Sequence, residues 1–279
     1  MRQALKDDFQ MGPLHRLDLK GTKGWGISDD TIRGMHAGLW LDKYIASHNT
    51  NDTGSRQNLV AQVASLPIST TYILFYQRWH DSLQTDYGNH ILCCKASSKG
   101  RIAINLGSES VLETSIALHH TYGVPYLPGS ALKGLAASYT RQHFEGDMWK
   151  HDGEAYRVIF GDTEQAGYIT FFDALPIPQI SENAFQVSSL LKRDIITVHH
   201  KEYYGDGSQS PADWDSPIPI PFLSTTGDYL VALAAPDLEK PEPWLNRTFE
   251  ILKQALANAG IGAKTSSGYG RMELSEERL

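Results

Sequence analysis

Apolar positions recur near a 3.6-residue period at four places in the 279-residue chain, and each predicts an amphipathic helix. Ser28-Asp29-Asp30 offers capping oxygens to the first run, through Ile32, Met35, His36, Leu39 and Tyr44. Leu59, Val63 and Leu66 mark a second, stopped by Pro67. Leu132, Leu135 and Tyr139 share one face of a third, which Ser130 is placed to N-cap. Phe249, Leu252 and Leu256 mark a fourth, ending at Gly260, where glycine suits a left-handed cap.

Strand patterns lie between them. Residues 70–76 form a β-branched and aromatic run, and 101–106 alternate like a half-buried strand up to Gly107. A strand pair is expected through Ile116 and Leu118. Short strands are predicted at 156–160 and 168–172, about the turn-like Gly161-Asp162-Thr163, and a further one at 229–234. From about 177 to 221, proline, glycine and polar residues predict a long loop insertion. No repeat of 20–50 residues is visible. From about 101 the order is strand, helix, two strands, insertion, strand, helix, glycine loop, final strand. Without the insertion this resembles the βαββαβ order of a ferredoxin-like unit, an α+β fold. The expected organisation is one domain over 1–279. Residues 1–95 form a helical and loop elaboration, and 96–279 a ferredoxin-like core.

Composition narrows the chemistry. With 32 acidic against 25 basic residues and a net charge of −7, the chain is not built to coat nucleic acid non-specifically, although a local basic groove remains open to it. Its two cysteines are adjacent, Cys93-Cys94, so neither a disulfide framework nor a CxxC zinc site is expected. The N-terminal MRQALKDDFQ lacks the apolar region of a secretory signal, and no run approaches 18 apolar residues. The expectation is a cytoplasmic protein without membrane contact, metal or cofactor.

The glycine-rich stretch from Gly260 to Arg271 gathers exposed amides, hydroxyls and cations: Gly262, Lys264, Thr265, Ser266, Ser267, Gly268, Gly270 and Arg271. Such a loop can wrap a phosphate backbone, or it can simply turn the chain. It is no Walker A loop, because Ala263 precedes Lys264, and it departs from GxGxxG, with Thr265 where the third glycine belongs. Lys133 lies near the start of the Ser130 helix, where the dipole disfavours a cation by roughly 0.3–1 kcal/mol. An anion bound at that helix start, or a neighbouring carboxylate, accounts for it. His119-His120 and His199-His200 offer general acid–base groups or structural histidines, and Tyr203 and Tyr204 offer stacking or buried rings.

The segment Tyr122-Gly123-Val124-Pro125-Tyr126-Leu127-Pro128-Gly129-Ser130-Ala131-Leu132-Lys133-Gly134 resembles the PGS-x-LKG helix start of the RAMP proteins of CRISPR systems, and residues 260–271 resemble their C-terminal glycine-rich loop. Residues 107–114, residues 194–204 leading to Trp214, Pro217, Pro219, Pro221 and Phe222, and Gly38-Leu39-Trp40-Leu41-Asp42-Lys43-Tyr44 narrow the likeness to the family of sixth subunits of the type III-B (Cmr) effector complex. The likeness spans about 30 to 274. It implies a ferredoxin-like (RRM-like) RAMP fold that binds guide RNA and caps its 3′ end, in a complex that targets invading RNA. The partners it implies are guide RNA, target RNA and the other Cmr subunits, chiefly a backbone RAMP subunit. In that backbone subunit an aspartate after the first strand cuts the target; here 107–114 offers Glu109 and Glu113 but no aspartate, so a non-catalytic role is expected.

On this reading Ser130, Lys133, Gly262, Lys264, Thr265, Ser266, Ser267, Gly268, Gly270 and Arg271 contact RNA. His199, His200, Tyr203 and Tyr204 contact RNA or a neighbouring subunit, and the proline-rich 206–221 span docks on that neighbour. One alternative is a metal-independent guide-processing endoribonuclease of the same superfamily, using a histidine. Another is a metabolic enzyme binding a phosphorylated ligand at the Ser130 helix start.

Overall fold

The computed structural model describes residues 35–47, 53–179, 189–198, 210, 212 and 217–278. The triplet at 28–30, and His199, His200, Tyr203 and Tyr204, lie outside them. In chain order the helices are α1 (Ala37–Lys43), α2 (Thr53–Ser65), α3 (Thr70–Tyr87), α4 (Gly129–His143), α5 (Glu154–Phe160) and α6 (Pro241–Asn258). The strands are β1 (Ile91–Ser98), β2 (Thr170–Phe171), β3 (Leu175–Pro176), β4 (Leu191–Val198), β5 (Ile218–Thr225), β6 (Asp228–Ala234) and β7 (Met272–Arg278).

The main sheet is antiparallel in the order β2-β6-β1-β7, with β3 also paired to β6. Leu92, Cys94 and Ala96 of β1 point to one face, where α4 (Leu132, Ala136) and α6 (Leu245, Leu252, Leu256) close the core. Ile91 and Cys93 point to the other, against Tyr76, Trp79, Leu83 and Tyr87 of α3. A strand buried on both faces carries no polar–apolar alternation, which is why 91–98 is inconspicuous in sequence. It also crosses the boundary expected at 95/96, so the sheet begins at Ile91.

Two expected strands are helices. In 70–87 the inward residues are Tyr72, Tyr76, Trp79, Leu83 and Tyr87, spaced by three or four. The Ser69 hydroxyl caps the start by accepting the Tyr72 N–H. Seven residues of this run look β-prone, but a 3.6-residue period sustained over eighteen residues decides it. Residues 154–160 bury Ala155, Tyr156, Ile159 and Phe160, again a helical spacing. The stretch 101–106 is no strand; it makes single bridges, Ile102 to Thr225 and Ala103 to Ala263. The expected pair through Ile116 and Leu118 reduces to a bridge from Leu118 to Pro125, and 168–172 pairs only at β2.

The expected loop at 177–221 contains a hairpin, β4–β5, forming a second, two-stranded sheet on which α2 packs through Leu59, Val60, Val63, Leu191 and Leu223. Its prolines fit one register. Thr226 N–H donates to Leu190 O, so hydrogen-bonded rungs fall at alternate positions from there. Pro219 and Pro221, opposite Thr197 and Ile195, take the intervening rungs, where a missing N–H faces away from β4.

Expected elements α2, α6 and β6 are present near their expected bounds. The Gly260 N–H donates to Ala255 O with a φ of 78°, the left-handed ending its position implies. Among the described residues no single helix is long and apolar enough to cross a membrane.

Candidate nucleic-acid interface

The glycine loop connects α6 to β7 at the end of the sheet where β1 finishes. Ile261 N–H donates to Gly270 O (2.9 Å), Gly270 N–H to Arg101 O (2.8 Å) and Ala263 N–H to Ala103 O (2.7 Å). Those close approaches explain two of its glycines. A Cβ on Gly262 would lie 2.3 Å from Ala103 O, and one on Gly270 would lie 2.0 Å from Ile261 O. Between these anchors the Lys264 carbonyl accepts from the Ser267 and Tyr269 N–H groups, closing a short 3-10 turn over Thr265–Ser267. Ser266, Ser267 and Gly268 are exposed on its outer surface, and Lys264 and Thr265 are half-buried. Gly262 and Gly270 therefore build the loop, while 264–268 form its outer face. Arg271 reaches over the end of α6: its guanidinium donates to Ala257 O (3.4 Å), satisfying a carbonyl there.

At the start of α4 the cap is not Ser130. The helix begins at Gly129 behind Pro128, which leaves Ser130 exposed at the second helical position. The Gly129 N–H donates to Asp173 Oδ1 at 2.7 Å. Asp173 is brought there by the Leu127–Ala174 backbone pair, with hydrogen bonds of 3.0 and 2.8 Å. A protein carboxylate thus already occupies the positive end of the helix. Lys133 is half-buried at the start of the second turn, and among the described residues neither Lys133 nor Lys264 has an ion-pair partner.

The segment 101–127 connects the two candidates. Ala263 bonds Ala103, Ala117 N–H donates to Ile104 O, and Tyr126 N–H donates to Ala117 O. Three such backbone spacings of about 4.8 Å span from Ala263 to Tyr126, at most about 14 Å in all, with the α4 start three residues further on. Glu113, on the 105–115 loop of that segment, pairs with Arg56 of α2 at 3.2 Å, and Glu109 is exposed.

Sequence reasoning missed a polar node beside the loop. Arg101 donates to Arg193 O (2.6 Å) and Ser224 Oγ (3.3 Å) and lies 3.6 Å from Asp194 Oδ2. The Tyr269 hydroxyl donates to Asp194 Oδ2 at 2.7 Å. Burial, then the adjoining carboxylate, pushes the Tyr269 phenol up to about 12, so the donor keeps its proton at neutral pH. No local pattern announces this node, because its members come from four segments distant in sequence.

Among the described histidines, His119 Nδ1 accepts from the Thr121 N–H (3.2 Å), and its ring packs against Phe75, Tyr122 and Tyr126. Burial holds its pKa below the usual histidine value. His120 is exposed, and its carbonyl lies 2.9 Å from Nε2 of His36, the residue that caps α1. No cluster of three or more metal-ligating side chains occurs among the described residues. A cavity of about 600 Å³ lies at the opposite end of the sheet, between the starts of β1 and α6, lined by Leu92, Cys93, Pro241 and Glu242.

Residues 88–273 match the family model of the RAMP superfamily. The chain belongs to the RAMP superfamily. This RAMP protein is 32% identical to the CRISPR system Cmr subunit Cmr6 of Pyrococcus furiosus, over 75% of the chain and 77% of that relative. It is 27% identical to the corresponding Cmr6 subunit of Saccharolobus solfataricus, over 63% of the chain and 53% of the relative. A chain in a cryo-EM structure of the type III-B Cmr-beta complex bound to cognate target RNA matches with a TM-score of 0.60. At 21% identity, over 80% of this chain and 72% of that one, the match shows a shared fold.

Proposed function

We propose that this RAMP protein is the Cmr6 subunit of a type III-B CRISPR effector complex, where it binds RNA without cutting it. It caps the guide-RNA 3′ end beside a backbone RAMP subunit, in a cytoplasmic complex directed at invading RNA. The observation that carries this reading is the kinship with Cmr6 of Pyrococcus furiosus over three quarters of both chains. Support comes also from the glycine loop, whose outer face offers Lys264, three hydroxyls and open backbone to a polynucleotide. The acidic remainder is compatible with contact to a short length of RNA only. The fold is read as one ferredoxin-like domain: β1, α4, β2/β3, β6, α6 and β7 follow the βαββαβ order, with the β4–β5 hairpin inserted before β6.

The non-catalytic role is supported by the tying of Glu113 to Arg56 and of His119 into an aromatic cluster. A phosphorylated metabolite at the α4 start is disfavoured, because Asp173 holds the first helical N–H there. Co-expression with the remaining Cmr subunits and a guide RNA tests the assignment. The chain is expected to co-purify in the ribonucleoprotein, and Lys133→Ala/Lys264→Ala to weaken RNA association. A chain that stays monomeric while the others assemble rejects it, and RNA cleavage by the purified chain rejects the non-catalytic role.

A further inference from the structure

The glycine loop is anchored at its base by backbone and, beside Gly270, by one side chain. Between Ala263 and Gly270, the Tyr269 hydroxyl makes the loop's side-chain hydrogen bond to the rest of the protein among the described residues, and its acceptor is Asp194 of β4. That carboxylate is itself fixed from three further directions. Its Oδ1 accepts the Ile195 N–H (3.0 Å), and its Oδ2 accepts from Ser224 Oγ (3.4 Å) with Arg101 Nη1 at 3.6 Å. The Tyr269 ring meets Phe222 of β5 at 6.3 Å between centroids.

The hairpin does not need this bond. It has its own eight-rung ladder and its packing on α2. The loop, in contrast, holds Gly262, Lys264, Gly268 and Gly270 at positive φ, with Gly268 open to solvent. Without that tether, such a stretch samples more conformers, and ordering it on binding costs affinity.

We propose that Asp194 is a positioning residue for RNA binding: by holding the Tyr269 hydroxyl it keeps the glycine loop in the conformation that presents Lys264, Ser266 and Ser267 to a phosphate chain. This rests on the loop being the RNA-binding element. The inserted hairpin is then part of the grip even where it touches no RNA.

The test uses the full chain and an unstructured, fluorescein-labelled RNA of about 20 nucleotides, titrated by anisotropy between about 50 and 200 mM salt. Amide exchange across 264–270 is followed with and without RNA. Tyr269→Phe keeps the ring and removes only the hydroxyl, guarding against misfolding of Asp194→Ala. Both variants are expected to bind about tenfold more weakly with an unchanged salt slope, because the phosphate contacts in the complex are the same. Exchange quickens in the free variants and returns to the wild-type level at saturation, and the double variant binds no worse than either single one. Lys264→Ala, in contrast, lowers both affinity and slope. Wild-type affinity and exchange in Tyr269→Phe, with Lys264→Ala impaired, overturns the positioning role and leaves the RNA-binding reading standing. Weaker binding by Tyr269→Phe with wild-type exchange across 264–270 in the free protein also overturns it, by making the hydroxyl a direct contact. If the wild type does not bind RNA, or Lys264→Ala changes nothing, the RNA-binding reading fails and the positioning role with it.

Discussion

Gly129 and Gly134 lie five residues apart on α4, and alanine at each moves stability in opposite directions. A Cβ on Gly129 would sit 2.1 Å from Phe171 O and 2.9 Å from the carbonyl carbons of Phe171 and Phe172. That is about 1.4 Å inside an optimal contact, and the obstacle is strand backbone, not the end of a flexible side chain. Relief requires α4 to move off β2, straining the Leu127–Ala174 pair and the Gly129–Asp173 hydrogen bond. Overpacking of this kind costs about 1–3 kcal/mol, and weakened hydrogen bonds add about 1 kcal/mol each. Gly129→Ala is therefore expected to destabilise by about 3 kcal/mol, lowering the melting temperature by about 6–12 °C. Gly134 is exposed in the helix interior with nothing within 4 Å of its would-be Cβ. Gly134→Ala gains helix propensity and stabilises by about 0.5–1 kcal/mol. Urea unfolding of both variants at 25 °C measures the two shifts. A Gly129→Ala protein as stable as wild type, or a destabilised Gly134→Ala protein, refutes the packing argument.

Asp173→Ala removes the α4 cap and is expected to cost about 1 kcal/mol, the exposed carboxylate keeping the helix-dipole share small, whereas Asp173→Asn retains an acceptor and costs a few tenths. Equal losses in the two variants contradict the cap. Arg271→Ala is expected to lower the melting temperature by a degree or two through the open carbonyl at Ala257, with the RNA salt slope intact, whereas Lys264→Ala lowers that slope by about 0.7 and leaves stability unchanged. A flattened slope in Arg271→Ala places its charge on the RNA instead. His119 has a depressed folded-state pKa, caused first by burial and then by His120 and His36, with Asp173 opposing. Below its ordinary value of 6.5 the unfolded chain takes up this proton first, so stability falls with pH from there to the folded-state value. His119→Phe is expected to flatten that decline in unfolding experiments at descending pH; an undiminished decline removes His119 as its source.

Much of the helical framework was legible because its signals are local. Leu59, Val63 and Leu66 before Pro67 delimit α2, and Phe249, Leu252 and Leu256 before Gly260 delimit α6, each with period and stop signal in one window. Residues 70–76 misled because seven residues, all but Leu74 β-branched or aromatic, are too short a window to separate periods of 2 and 3.6. Residues 218–225 misled because proline usually signals a break, and only the partner strand reveals that both rings sit on harmless rungs. The glycine loop was visible as composition, but its division of labour was not. Gly262 and Gly270 are demanded by the backbone of Ala103 and Ile261, and Arg271 by the end of α6.

The amino-acid order alone determined where most helices run, that a glycine-rich cationic loop follows the last of them, and the RAMP likeness of both key segments. Periodicity, caps and motifs act over a few residues and are written in the chain. Tertiary structure decided who serves each segment: Asp173 caps the helix that Ser130 opens in sequence, and Asp194 holds the loop that Tyr269 closes. Those partners are 44 and 75 residues apart along the chain. Such pairings depend on which side chains the packed sheet and hairpin deliver to the same few ångströms, and no local pattern encodes that.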